Sequence, residues 1–146
     1  TLLDAIGSVV FDLATHAGDL TPRPSLVSEL LRRASPIVQF ARRATRDVTL
    51  EGVNIAKGDQ LVLWFLAANH DPRAFANPRS LVADRAPNPH VAFGFGLHRC
   101  VGARLAHATL AELVSECREL GLAEPPVRKR SNYQRGFARL VVTPTA

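Results

Sequence analysis

A chain of 146 residues, 47% hydrophobic and 21% charged, has the size and balance of one ordinary soluble globular domain and can bury a core of its own. No uninterrupted apolar run approaches membrane-spanning length, no secretory leader opens the chain, and its two cysteines form no CxxC or zinc-ribbon spacing, which argues against a disulfide framework and for a reducing cytoplasm. The net charge of +5 comes almost wholly from arginine, clustered at Arg32–Arg33, Arg42–Arg43 and Arg128–Arg130 with no interleaved aromatics, and so fits a basic face for an acidic protein or anionic cofactor rather than a nucleic-acid reader.

The chain starts at Thr1 and contains no methionine, so a start inside a longer protein is expected. "TLLDAIGSVVFDLATH" places Leu2, Ile6, Val9, Val10 and Leu13 at helical spacing, and "AGDLTPRP" breaks the pattern. A second helix runs through "SLVSELLRR" and stops near Ser35, because Pro36 drives its predecessor out of helical geometry. "DVTLEGVNIAKGDQLVLWF" alternates apolar and polar residues around Glu51–Gly52 and Lys57–Gly58, as a hairpin or meander does. From Asn69 to Arg99 lies a long aperiodic stretch, and loops of this length inside a domain are usually functional. A last helix is expected over about Val101 to Leu120, capped by Gly121, and the tail "VRKRSNYQRGFARLVVTP" reads as a final hairpin.

The chemistry gathers in "FGFGLHRCVG", residues 93 to 102. Cys100 stands where the last helix begins, and free N–H groups there favour a thiolate over a thiol, with His98 and Arg99 adding to that preference. The glycines at 94, 96 and 102 accept unusual backbone angles and let a flat ligand lie almost on the main chain. A sulfur ligand to a haem iron accounts for all of these features. A nucleophilic cysteine would want a base held for it, and His98 is only two residues away in the same tight loop. A zinc site from His98, Cys100 and His107 would lack its usual spacing, and an inert buried cysteine would explain neither glycines nor cations.

This stretch resembles the haem-thiolate loop of the cytochromes P-450, with Phe93, Gly96, Cys100 and Gly102 on that loop's fixed positions and His98 fitting as well. The resemblance extends over essentially the whole chain, and implies a mainly α fold with small β-sheets (α+β). The chain, residues 1–146, is then a single partial domain, the C-terminal haem-binding portion of that fold. Glu29 and Arg32 match the family's Glu-x-x-Arg pair. Without the family, such a pair is usually a solvated ion pair worth ~0–1 kcal/mol; the resemblance instead buries it as a lock on the loop before the cysteine. The lock's third member, a meander arginine, aligns with Ser80, with Arg79 one position early, and His70 stands where family members commonly carry Arg.

The resemblance further implies a haem b monooxygenase that activates O2 on the Cys100-ligated iron and inserts oxygen into a small hydrophobic organic substrate. Cys100 is the metal ligand, and Thr1 lands on or next to the family's oxygen-activating threonine. The implied cofactor-binding set is Arg42, Phe93, Gly94, His98, Cys100, Gly102 and Ala106, with Arg42 and His98 on the propionates and Arg43 as the near miss. Ile37, Val38 and Gln39 fall where family members line the substrate pocket. Electrons come from a ferredoxin or flavoprotein donor on the proximal face, steered by Arg99 and Arg104. A truncated or degenerate homologue, binding haem or a partner without turnover, is the alternative. The isolated chain is expected to show little or no activity.

Overall fold

A computed structural model describes residues 1–117 and 119–145. Helix α1 (Leu2–Thr15) buries Ala5, Val9 and Leu13 on one stripe and the polar Asp4, Ser8 and Asp12 on the stripe beside it, while Leu3 stays 80% exposed. Helix α2 (Pro24–Ala34) starts with proline in its first turn, where the missing N–H costs nothing. It ends at Ser35 in the left-handed region (φ 37°), whose N–H donates to Leu31 O at 3.0 Å. Leu26, Val27, Leu30, Leu31 and Ala34 are buried together with Glu29 and Arg32, so α2 is covered on nearly every side and forms the axis of the molecule. Helix α4 (Ala103–Glu116) adds Leu110 and Val114 to the core that Val9 and Leu13 of α1 make with Leu26, Val27, Leu30 and Leu31 of α2.

The strands form four two-stranded antiparallel sheets around these helices. Strands β2 (Val48–Leu50) and β3 (Val53–Ile55) make the expected hairpin, turning at Glu51 (φ 49°) and Gly52 (φ 78°), the paired positive φ angles that hairpin twist favours. The next strand does not continue the meander. β4 (Gln60–Trp64) pairs instead with β1 (Gln39–Arg43), in the register Arg42↔Leu61 and Phe40↔Leu63. A short helix α3 (Phe65–Ala68) then leads into the long loop.

Helix α4 is shorter than its periodicity predicts. It ends at Cys117, and Leu120–Leu122 forms β5, paired with β8 (Val142–Pro144). Gly121 is therefore a strand residue rather than a cap. A Cβ there would lie 3.1 Å from Thr145 Cγ2, a close backbone approach that favours glycine. The tail is likewise split: β6 (Val127–Arg128) pairs with β7 (Phe137–Arg139), while β8 closes on β5. Among the described residues, no helix is long and apolar enough to cross a membrane.

Candidate functional site

The loop from Asn69 to Arg99 carries almost no regular structure, so side chains must hold it. Glu29 and Arg32 are fully buried and form a two-pronged ion pair, Arg32 Nε to Glu29 Oε2 and Nη2 to Oε1, each at 2.8 Å. Glu29 also accepts from Val82 N–H at 3.2 Å, Arg85 Nε at 2.9 Å and Asn88 Nδ2 at 3.3 Å. Arg32 Nη1 donates to Asn69 O at 2.6 Å, and Asn69 Oδ1 in turn accepts from Val91 N–H at 2.7 Å. Burial raises the Glu29 carboxyl, but the Arg32 fork, the Val82 N–H and Arg85 outweigh it and hold the group below its ordinary range.

The third member of the lock, its second guanidinium, is thus Arg85, not a residue at the Ser80 or Arg79 positions. Arg79 takes part only through its carbonyl, which accepts from Arg33 Nη1. Both Arg32 and Arg85 lie over the face of Phe75, at 5.0 and 6.0 Å from the ring centre, and Phe75 is itself buried. Asn69, also missed in the sequence, ties α2 to the segment just before the cysteine loop.

Within the cysteine loop, Cys100 N–H donates to Phe93 O at 2.8 Å, Gly94 N–H to Val91 O at 2.9 Å and Arg99 N–H to Gly96 O at 3.1 Å. These bonds fold the strand-like approach back under the cysteine, through a single 3₁₀ turn at Gly96–His98. Gly94 and Gly96 adopt φ of 70° and 71°, where a side chain would be strained. Gly102 does not follow that expectation: its φ is an ordinary −81°. A Cβ there would meet Cys100 Sγ at 3.8 Å, an ordinary van der Waals contact, so neither backbone angle nor crowding demands glycine at this position.

Phe93 lies between two imidazoles, 6.1 Å from His90 and 5.6 Å from His107. Burial, followed by the charges of His107 and Arg32, pushes His90 down to about 4; its Nδ1 accepts from Ala92 N–H at 3.3 Å. Between the ordinary imidazole value of about 6.5 and about 4, the unfolded chain binds a proton here that the folded chain does not. Stability should therefore be complete above that window and fall as pH drops through it. Urea midpoints measured at several pH values should show a shallower acid slope for His90→Leu than for the parent chain; equal slopes would remove His90 from the acid response.

Every residue assigned to the site by sequence lines one cavity of about 750 Å³: Thr1, Arg42, Phe93, Gly94, His98, Cys100, Gly102 and Ala106. The choice of Arg42 over Arg43 follows from strand alternation. Phe40 and Arg42 face the cavity, while Arg43 turns away and donates to Gly58 O at 2.8 Å. The stretch expected to line a substrate pocket divides as well: Gln39 falls on the outward face of β1 by the same alternation, while Ile37 and Val38 precede the strand and part to different cavities. Ile37 lines this cavity, Val38 lines a different one, and Gln39 lines neither, its amide donating to Asn132 O at 3.4 Å.

The walls are otherwise apolar, with Leu31, Phe65 and Tyr133 among them. A thiol sulfur, one guanidinium and one imidazole in an apolar slot fit a planar, mostly hydrophobic group that bears carboxylates and a metal seeking sulfur. Haem is such a group. A zinc centre is not supported: among the described residues, no three His, Cys, Asp or Glu side chains gather as a metal cluster.

Comparison with known proteins agrees with this geometry. The family model described as cytochrome P450 matches residues 24–117. The chain is 38% identical over 125 residues to the methyl-branched lipid omega-hydroxylase of Mycobacterium tuberculosis, covering 82% of this chain and 29% of that one. It is 35% identical to the polyketide biosynthesis cytochrome P450 PksS of Bacillus subtilis, covering 98% of this chain and 39% of the relative. Among solved structures, cytochrome P450-153 from Novosphingobium aromaticivorans superposes with a TM-score of 0.88 at 34% identity, over 95% of this chain and 38% of that one. The chain thus spans well under half the length of these relatives, and its fold is the C-terminal portion of theirs. Proteins of this family bind haem b. The lock, the glycine-framed cysteine and the cavity beside it agree with the matched residues, and the chain belongs to the cytochrome P450 family.

Proposed function

We propose that this chain is the haem-holding part of a haem-thiolate monooxygenase, with Cys100 as the axial ligand. The observation that carries the reading is the convergence of Cys100, Arg42 and His98 on one apolar cavity. Haem bound through a thiolate supplies dioxygen activation and oxygen insertion into a C–H bond or double bond. The chain's own residues hold and shield the group. Arg42 would hold one propionate through its guanidinium fork and His98 the other through a single N–H, while Phe93, Gly94, Gly102 and Ala106 would form the floor beside the sulfur. Thr1 lines the same cavity, and its Oγ1 is the hydroxyl assigned to proton delivery.

The substrate is a small hydrophobic molecule, in keeping with Ile37, Phe40 and Phe65 on the wall and with the lipid hydroxylase among the relatives. Exposed Arg99 and Arg104 flank the exposed cysteine and would steer an acidic ferredoxin or flavoprotein donor. By itself the chain leaves Cys100 and Phe95 in water. That favours, for the isolated 146 residues, the second reading of haem binding without turnover.

Haemin titration followed in the Soret region tests the assignment of the propionate side. One saturable equivalent is expected. Arg42→Gln should bind about tenfold more weakly or worse, the scale of a lost charge-assisted fork, while Arg43→Gln should match the parent. Equal affinities for the parent chain and Arg42→Gln would contradict the reading.

A further inference from the structure

We propose that a second cavity, on the far side of α2 from the cysteine loop, binds an oxyanion carried on an aromatic or other apolar body. This cavity, of about 560 Å³, shares no lining residue with the first. Its polar wall is made by Ser8, Asp12, Arg33, Arg128 and Arg135, and its apolar wall includes Trp64.

The charges do not balance. Asp12 is taken up by Arg33 in a two-pronged pair at 2.9 Å on both oxygens. Arg135 spends Nη1 on two carbonyls, Arg33 O and Ala34 O, at the end of α2. Among the described residues, neither Arg135 nor Arg128 has a carboxylate within salt-bridge distance, and the Arg128 guanidinium makes no hydrogen bond. Arg128 is instead stacked on aromatic faces, its Cζ 3.8 Å from the Phe137 ring centre and 5.1 Å from that of Phe11. Stacking leaves the N–H edge of a guanidinium free to fork onto a planar or tetrahedral anion. Partial burial lowers both groups and the charges of Arg128 and Arg33 lower Arg135 further, while Asp12 raises both.

An independent observation points the same way. Ser8 is only 5% exposed, lines this cavity and has no hydrogen-bond partner for its Oγ. Buried hydroxyls are seldom left unpartnered. The set of free groups is therefore guanidinium N–H donors plus one hydroxyl, with no unpaired acceptor carrying charge. A cation would be repelled, whereas an anion meets donors and opposite charge on Arg128, which is exposed, and Arg135, which is half-buried. Trp64 is 52% exposed and with Phe11 and Val38 offers the surface on which an apolar body would lie.

Trp64 is the chain's one tryptophan, so its fluorescence reads this cavity directly. Titration with inorganic phosphate and with phenyl phosphate, each against potassium chloride at matched ionic strength, should give a saturable change, with phenyl phosphate the tighter ligand. Calorimetry should return the same affinities. Arg128→Gln should weaken binding about tenfold or more and Ser8→Ala severalfold, while Arg46→Gln, on an exposed loop, should leave it unchanged. Circular dichroism establishes that each variant is folded; should Arg128→Gln not fold, Ser8→Ala alone decides. No saturable response beyond the chloride control, or unchanged affinity in the folded variants, would overturn the proposal. Phenyl phosphate binding no more tightly than phosphate would overturn its apolar half.

Discussion

Arg32→Leu should destabilise the chain by about 3–5 kcal/mol, because it leaves the Glu29 carboxylate buried with its main counter-charge gone. A small domain has about 5–15 kcal/mol in total, so the loss is a large share of it and the urea midpoint should fall far below that of the parent chain. Arg85→Ala removes one charge-assisted bond at 2.9 Å from the same carboxylate and should cost less, about 1.5–3 kcal/mol. Arg79→Ala should stay within about 0.5 kcal/mol, since only the Arg79 carbonyl is engaged in the lock region and alanine keeps it. Urea midpoints followed by far-ultraviolet circular dichroism rank the three. If Arg79→Ala proved as costly as Arg85→Ala, the lock would be wired through the other end of the loop and the arrangement described here would be wrong.

The ranking matters for function because the lock holds the loop that delivers the cysteine. Glu29 fixes the backbone at Val82 and the side chains of Arg85 and Asn88. Asn69 then fixes Val91, two residues before Phe93, whose carbonyl receives the Cys100 N–H. A continuous set of hydrogen bonds therefore runs from the buried axis of α2 to the sulfur-bearing loop. Weakening its first link should loosen haem uptake together with stability.

Much of this was legible wherever a local rule acts alone. The start and stop of α2 follow from Pro24 and from Ser35–Pro36, and the β2–β3 turn from Glu51–Gly52. The positive φ angles of Gly94 and Gly96 follow from the density of glycine ahead of Cys100. The residues expected at the site are scattered from Thr1 to Ala106, and the structure brings them to one cavity. What the sequence concealed was set by distant partners. The lock's third member could not be counted off along an aperiodic loop, and only the position of Glu29 selects Arg85. Periodicity carried α4 on to Leu120, but the partner strand β8 claims Leu120–Leu122. Alternation along β1 turns Gln39 outward, while Ile37 and Val38 precede the strand and line different cavities, a division that a positional match along the chain could not make. The second cavity was invisible for the same reason: Ser8, Arg33, Arg128 and Arg135 are far apart in sequence, and the basic tail read simply as a hairpin.

The central claim is that Cys100 supplies a thiolate to a haem iron. Its backbone is fixed by the bond to Phe93 O, it lines the apolar cavity together with Arg42 and His98, and among the described residues no other sulfur lines that cavity. Serine in its place keeps the loop's shape but offers an oxygen that holds its proton far more tightly than a thiol does. The direct measurement is the Soret band of the reduced, carbon monoxide-bound complex, recorded for the haem-loaded chain and for Cys100→Ser. The parent chain should give the strongly red-shifted band of a thiolate-ligated haem, and Cys100→Ser should lose it entirely while remaining folded. A red-shifted band that survives in Cys100→Ser, or a parent spectrum typical of a histidine or neutral ligand, would contradict the account.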